Sequence, residues 1–325
     1  MTGAEYTGTN GGLPRHSRDD AARLARRLRE GPALLLDGAM GTELEARGVE
    51  SGLPLWSTHA LLHAPGVVEE IHAKYAAAGA EILTANTFRT QRRALEAGAR
   101  KSGDPALSGL GARAGELCEL AVALARRAAA SGPDRALVAG SAPPLEDCYR
   151  VDLVPEANAL EREHDEHARN LARAGVDLIL VETMNCTREA VAAARAARAT
   201  GLPFLVSFVS WEGARLLSGE ALAPAIDAVL EHGAMAVLVN CLPPSAVEAC
   251  IPALQRAEPT PFGVYTNLGM PDAAGGRSEL CSPAELAQHA RRWLASGARI
   301  VGGCCGTRPD HIRAMARVIA AARTP

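Results

Sequence analysis

The chain has 325 residues, 48% of them hydrophobic and 22% charged, with a formal net charge of -3. This is the composition of a folded globular protein with a large core, and it carries no net positive field that would call for a nucleic-acid partner. No apolar run reaches the roughly 20 residues that a bilayer span requires, so no membrane partner is expected. Residues 1–14 are polar and Gly-rich, without the basic-then-apolar order of a signal peptide. They read as a disordered tail, and the chain reads as cytoplasmic. In that compartment eight cysteines point to core packing, metal binding or chemistry rather than a disulfide scaffold.

In chain order, residues 15–29 carry six arginines interleaved with Asp19, Asp20, Leu24 and Leu28, the pattern of an amphipathic first helix with a solvated basic face. One unit then recurs. A short apolar run ends in a small, polar or acidic residue, and an Ala-rich amphipathic stretch follows. The runs are 33–37, 80–84, 136–141, 177–182, 204–208, 236–240, 262–266 and 299–303. Continuous rather than alternating apolar runs suit strands covered on both faces. The helical stretches are 65–78, 111–130, 156–174, 187–199, 221–232, 244–256, 282–296 and 309–322. Ser282-Pro283 is a helix start, as N-cap and first-turn proline, and Gly79, Gly175, Gly201, Gly233 and Gly297 stand where helices end. Eight βα units predict an α/β fold, a (β/α)8 barrel forming a single domain over residues 15–325, with excursions at 98–111, 142–156 and 267–282. The rival, a doubly wound open sheet, usually shows a Gly-rich nucleotide turn after its first strand, and none is present here.

In such a barrel function collects at the C-terminal strand ends. Those ends hold Asp37, Thr84, Asn86, Thr87, Ser141, Glu182, Thr183, Ser207, Asn240, Cys241, Thr266, Asn267, Cys304 and Cys305. Cys241 follows the sixth strand, and Cys304 and Cys305 follow the eighth. Even-numbered strands feed the same interior layer, so the three sulfurs can converge on one ion. Three protein ligands with an open fourth position is the catalytic zinc pattern. Three thiolates favour holding a further thiolate over activating water, because a coordinated thiol is deprotonated outright. The spacing alone also fits small buried hydrophobes or a vicinal redox couple.

The segments LLLDGAMGTELEARG (34–48), ILTANTFRT (82–90), LVETM (180–184), VNC (239–241) and IVGGCCGTRPDHI (300–312) are similar, in order, to those of the homocysteine S-methyltransferase family. The resemblance implies a barrel, zinc on Cys241, Cys304 and Cys305, and homocysteine as methyl acceptor. It implies Asp37 and Glu182 as acidic groups for the substrate amine, and Asn267 beside the zinc. A carboxylate on the substrate would need backbone N–H groups around Thr84–Phe88, including Thr87, or at Ser141. Trp56, Phe88, Tyr149, Trp211 and Tyr265 fall near the same face and suit a cationic methyl donor through cation–π attraction, with Glu146 and Asp147 adding negative charge. Small soluble donors fit: S-methylmethionine, S-adenosylmethionine or a betaine. Two other readings stay open. One is methylation of another thiol or a selenol such as selenocysteine, and the other is a non-catalytic zinc- or redox-responsive protein.

Overall fold

The computed structural model describes residues 18–130, 136–268 and 280–322. The N-terminal tail and most of the 267–282 excursion lie outside the described residues. Eight parallel strands form the sheet: β1 (Leu34–Leu35), β2 (Ile82–Ala85), β3 (Leu137–Ala142), β4 (Leu178–Met184), β5 (Phe204–Phe208), β6 (Val237–Asn240), β7 (Phe262–Thr266) and β8 (Ile300–Gly303). Their order is β1-β8-β7-β6-β5-β4-β3-β2, and a parallel bridge between Leu36 and Ile82 closes the ring. This is the expected (β/α)8 barrel.

Period-two alternation along these strands sorts the side chains. Leu35, Leu83, Val138, Ile179, Val181, Val206, Val237 and Val239 face outward into the layer shared with the helices. Leu34, Leu36, Ile82, Ala139, Leu178, Leu180, Leu205, Leu238 and Ile300 fill the interior. Continuing that inward set upward gives Thr84, Ser141, Glu182, Ser207 and Asn240, so the interior is apolar below and polar at the top. Packing inside is tight: a Cβ on Gly302 would come within 2.5 Å of the Leu36 side chain.

The first helix, Arg18–Glu30, caps the lower end, with Leu24 and Leu28 joining the interior cluster. Arg299 fixes it by donating from Nε to the Leu28 carbonyl at 2.9 Å. Ser282 starts the helix Pro283–Ala295 as foreseen, within a capping box completed by Glu285. The five glycines read as helix ends all take positive φ. The connection read as an excursion from 98 is in part a helix, Arg92–Ser102, ended by the left-handed Gly103. Short helices Gly41–Glu45 and His59–His63 also lie between β1 and β2. Each is only five residues long, too short for helical periodicity to register. His59 and His63 stack on one another with ring centres 4.3 Å apart and do not join the site described below.

Candidate active site

β6 and β8 deliver the three cysteines together. The sulfur of Cys241 lies 2.8 Å from that of Cys304 and 4.0 Å from that of Cys305. All three lie within 4.8 Å of one another, the only such cluster of potential metal ligands among the described residues. Cys241 is buried, while Cys304 and Cys305 are partly open to a cleft of about 1020 Å³, mouth included. Cys148 also lines this cleft but stands outside the cluster.

The aim of each sulfur is set by local backbone. Cys241 has φ +54°, a left-handed conformation that is rare away from glycine and turns the chain sharply as β6 ends. Its carbonyl accepts from the Trp211 indole at 3.0 Å, and its sulfur accepts from the Tyr149 hydroxyl at 3.2 Å. The loop after β8 is locked onto the loop after β1. Thr307 accepts from the Ala39 N–H at 3.1 Å and donates to the Cys304 carbonyl at 2.6 Å. Thr42 accepts from the Gly306 N–H at 3.0 Å. The two glycine-rich segments thus cap each other through one threonine apiece.

Two carboxyls stand deeper in the barrel mouth. Asp37 accepts from the Thr84 N–H at 2.8 Å and from the Thr84 hydroxyl at 2.9 Å. Glu182 accepts from the hydroxyls of Ser141 and, at 3.1 Å, Tyr265. Among the described residues neither forms an ion pair with a lysine or arginine; the His72 ring lies 3.9 Å from Asp37, but burial pulls His72 down to about 4, so it is neutral. Burial pushes Asp37 up to about 8, against the pull of the Thr84 hydrogen bonds and with help from Glu182. Burial likewise pushes Glu182 up to about 7, opposed by its two hydroxyl donors. A cation arriving between them would supply the missing counter-charge.

Glu182 reaches inward by continuing the alternation of Leu178 and Leu180, and a bulge in β4 follows at that point. Val181 pairs with Val206 and Met184 with Phe208, so Glu182 and Thr183 together oppose the single residue Ser207. Thr183 takes φ +60°. Asn240, the residue before Cys241, holds this bulge. Its Oδ1 accepts from the Thr183 N–H at 3.0 Å and the Ser207 hydroxyl at 2.7 Å, and its Nδ2 donates to the Thr183 hydroxyl at 2.8 Å. One buried amide therefore ties the acid end of the site to the sulfur end. The strand-end polarity marks Asn240, but nothing in its neighbourhood on the chain reveals a partner at 183.

Other expected residues fall into place unevenly. Thr87, expected at the substrate, is buried and donates to the Ser141 carbonyl at 3.0 Å. The chain turns after Ala85, leaving Thr84 rather than Thr87 facing the cleft. Asn267 lies beside the cysteines, its N–H bonded to the Leu242 carbonyl at 2.9 Å and the next N–H, of Leu268, bonded to the Cys305 carbonyl at 2.7 Å. Trp56 and Phe88 pack edge to face with centres 5.4 Å apart, and Tyr149 and Trp211 lie 5.1 Å apart. Trp56 lies against Gly41, where a Cβ would sit 2.5 Å from the indole. Tyr265, grouped with the donor aromatics on sequence grounds, is buried and spends its hydroxyl on Glu182. The carboxylate of Glu146 is engaged with Arg93 at 3.0 Å, whereas Asp147 does line the cleft. Sequence reasoning missed Thr42, Thr307 and Arg89. All three stand in segments that carry the family resemblance, and the contacts that mark them out come from distant parts of the chain.

The sulfur cluster suits a cation. Hydrogen bonds from Cys304, Cys305 and the Tyr149 hydroxyl hold Cys241 well below the usual thiol range, and facing that thiolate pushes Cys304 and Cys305 well above it. Three crowded thiols can all ionise only beside a positive charge, and binding a divalent soft metal releases the remaining protons. Tetrahedral zinc with sulfur at about 2.3 Å needs sulfurs about 3.8 Å apart. One pair is near that separation, and the closer pair needs to open by about 1 Å.

Fold and site together define a (β/α)8 barrel with three convergent thiols beside a buried acid pair, at the face where such barrels do chemistry. The sequence model of the homocysteine S-methyltransferase family matches residues 34–319. The chain is 30% identical to homocysteine S-methyltransferase 1 of Zea mays, over 90% of this chain and 95% of that one. It is 27% identical to the selenocysteine methyltransferase of Astragalus bisulcatus, over 91% and 95%. The metallated form of the homocysteine methyltransferase MmuM from Escherichia coli superposes with a TM-score of 0.74 at 29% identity, covering 90% of this chain and 99% of that one. This chain belongs to the homocysteine S-methyltransferase family and is a methyltransferase.

Proposed function

We propose that this protein transfers a methyl group from a small onium donor to the sulfur of homocysteine, giving methionine, with zinc held by Cys241, Cys304 and Cys305. The observation that carries this reading is the juxtaposition of three thiols with Asp37 and Glu182 in one cleft. Homocysteine has a thiol, an ammonium and a carboxylate, and two of the three meet a matching group. When bound, zinc would supply a positive site that keeps the acceptor sulfur as a thiolate at neutral pH.

The chain's own residues do the rest. Asp37 and Glu182 take the ammonium through charge-assisted hydrogen bonds, and Thr84, Ser141 and Tyr265 orient the two carboxylates. Backbone N–H groups at the end of β2 take the acceptor carboxylate. Tyr149 donates to the Cys241 sulfur, which fixes that ligand and tempers its charge. Trp56, Phe88, Tyr149 and Trp211 hold the cationic donor and exclude water. The acceptor sulfur attacks the donor methyl in line. A new S–C bond forms, the donor's S–C or N–C bond breaks, and its electron pair leaves with the donor, now uncharged at that atom. Alignment of the three atoms supplies much of the rate.

The test is to offer zinc-loaded protein and homocysteine a panel of S-methylmethionine, S-adenosylmethionine and glycine betaine, and to measure methionine. Cys304→Ser is expected to lose stoichiometric zinc and turnover together; turnover in a zinc-free Cys304→Ser protein would sink the proposal. Selenocysteine as acceptor is the second reading, favoured by the similarity to a selenocysteine methyltransferase. Direct competition between homocysteine and selenocysteine separates the two.

A further inference from the structure

Arg89 stands in the turn after β2 with 5% of its surface exposed, and it lines the cleft. Its Nη1 donates to the Glu146 carbonyl at 2.8 Å, and its guanidinium carbon lies 5.4 Å from the centre of the Phe88 ring. Its Nε is buried and has no partner. The arginines that follow it are fully engaged: Arg92 pairs with Glu166, and Arg93 with Glu146 and Glu163. Arg89 forms no ion pair among the described residues, and the carboxylate nearest along its own contacts, that of Glu146, is already taken by Arg93.

A buried guanidinium without a counter-ion is costly, and removing one partner of such a pair is among the more damaging changes in proteins. Retaining it in a ligand cleft implies that the ligand brings the anion. The planar fork matches a carboxylate bidentately. Resting on the functional reading above, we infer that Arg89 binds the carboxylate of the methyl donor and selects donors that carry one near the onium centre. In the reading above the acceptor is placed elsewhere, its ammonium at Asp37 and Glu182, its sulfur at the cysteines and its carboxylate at backbone N–H groups at the end of β2. Arg89 instead packs on Phe88, which touches Trp56, beside the aromatic wall. An onium ion lacking a carboxylate would bring a second uncompensated positive charge next to Arg89. A zwitterionic donor brings one charge for the aromatic faces and one for the guanidinium.

The experiment measures methyl transfer to homocysteine by the zinc-loaded wild type, Arg89→Gln and Arg89→Lys, using S-methylmethionine, S-adenosylmethionine, glycine betaine and the carboxamide of whichever is active. Arg89→Gln is expected to raise the donor KM about 10- to 100-fold, the loss of a charge-assisted pair. Zinc content should be unchanged and the homocysteine KM should stay within about twofold, since no acceptor contact is removed. The wild type should discriminate against the carboxamide by a similar factor and Arg89→Gln should not, with Arg89→Lys intermediate. A rise in homocysteine KM instead, or equal use of acid and carboxamide by the wild type, overturns the inference. If the wild type transfers no methyl from any of the three, the functional reading fails separately. Calorimetric titration of the same three compounds then reads Arg89 directly. Weaker binding by Arg89→Gln supports its role, and equal binding, or none by the wild type, overturns it.

Discussion

The acid pair is where single residues have the clearest consequences. In the ligand-free protein Asp37 sits at about 8, above its ordinary 3.8, because burial disfavours its charge. A group whose folded value is raised binds more protons in the folded state, so its contribution to stability is complete below about 4 and is lost as pH climbs through 8. The stability of the wild type relative to Asp37→Asn is therefore expected to fall by a few kcal/mol between pH 5 and 9, measured by denaturant unfolding of both proteins without ligand. Binding of an ammonium reverses the logic, since it needs the carboxylates charged. Affinity for 2-aminobutyrate, which keeps the amine and carboxylate but has no sulfur, should rise from pH 6 to 9 and level off above Asp37's value of about 8. A flat profile in the wild type, or the same slope in Asp37→Asn, would count against the ammonium role.

Among the elements, β4 with its bulge is the one whose geometry most directly makes the site. Asn240→Ala strands the Thr183 N–H and two hydroxyls, all buried. It is expected to cost about 3 kcal/mol of stability and to lower kcat even at saturating acceptor, because both Glu182 and Cys241 lose their anchor. An unchanged kcat in a destabilised variant would show that the amide serves the fold alone. This element also marks the limit of what sequence reveals. The eight apolar runs, the helix caps at Ser282 and the helix-ending glycines are local signals, and each strand appears within a residue or two of its expected bounds. Cys241, Cys304, Cys305, Asp37 and Glu182 were legible because strand ends in a barrel converge whatever the loops do. The bulge, the left-handed Thr183 and Cys241, and the inward turn that withdraws Thr87 were not. They depend on partners tens of residues away along the chain, and no local pattern encodes a register shift.

For the molecule as a whole, the two ends of the barrel divide their labour. The lower end is closed by Leu24 and Leu28 against the apolar interior. Leu28→Ala, at 1% exposure, should cost about 2–4 kcal/mol in stability while leaving kcat/KM for both substrates within about twofold below the unfolding transition. A loss of catalytic efficiency matching the loss of stability would show that the two ends communicate. The closure of the ring between β1 and β2 has a further consequence. Among the described residues two backbone hydrogen bonds cross it, from Asp37 to the Ile82 carbonyl and from Glu81 to the Leu35 carbonyl. Side chains complete it, with Asp37 accepting from Thr84 above and Glu81 accepting from the Leu35 N–H below. Amide protons along this join, such as those of Asp37 and Glu81, should exchange with deuterium ahead of those in the middle of β5 or β6. An amino-acid ligand seated on Asp37 then acts as a clasp on the ring's thinnest link, slowing exchange there more than anywhere else in the barrel.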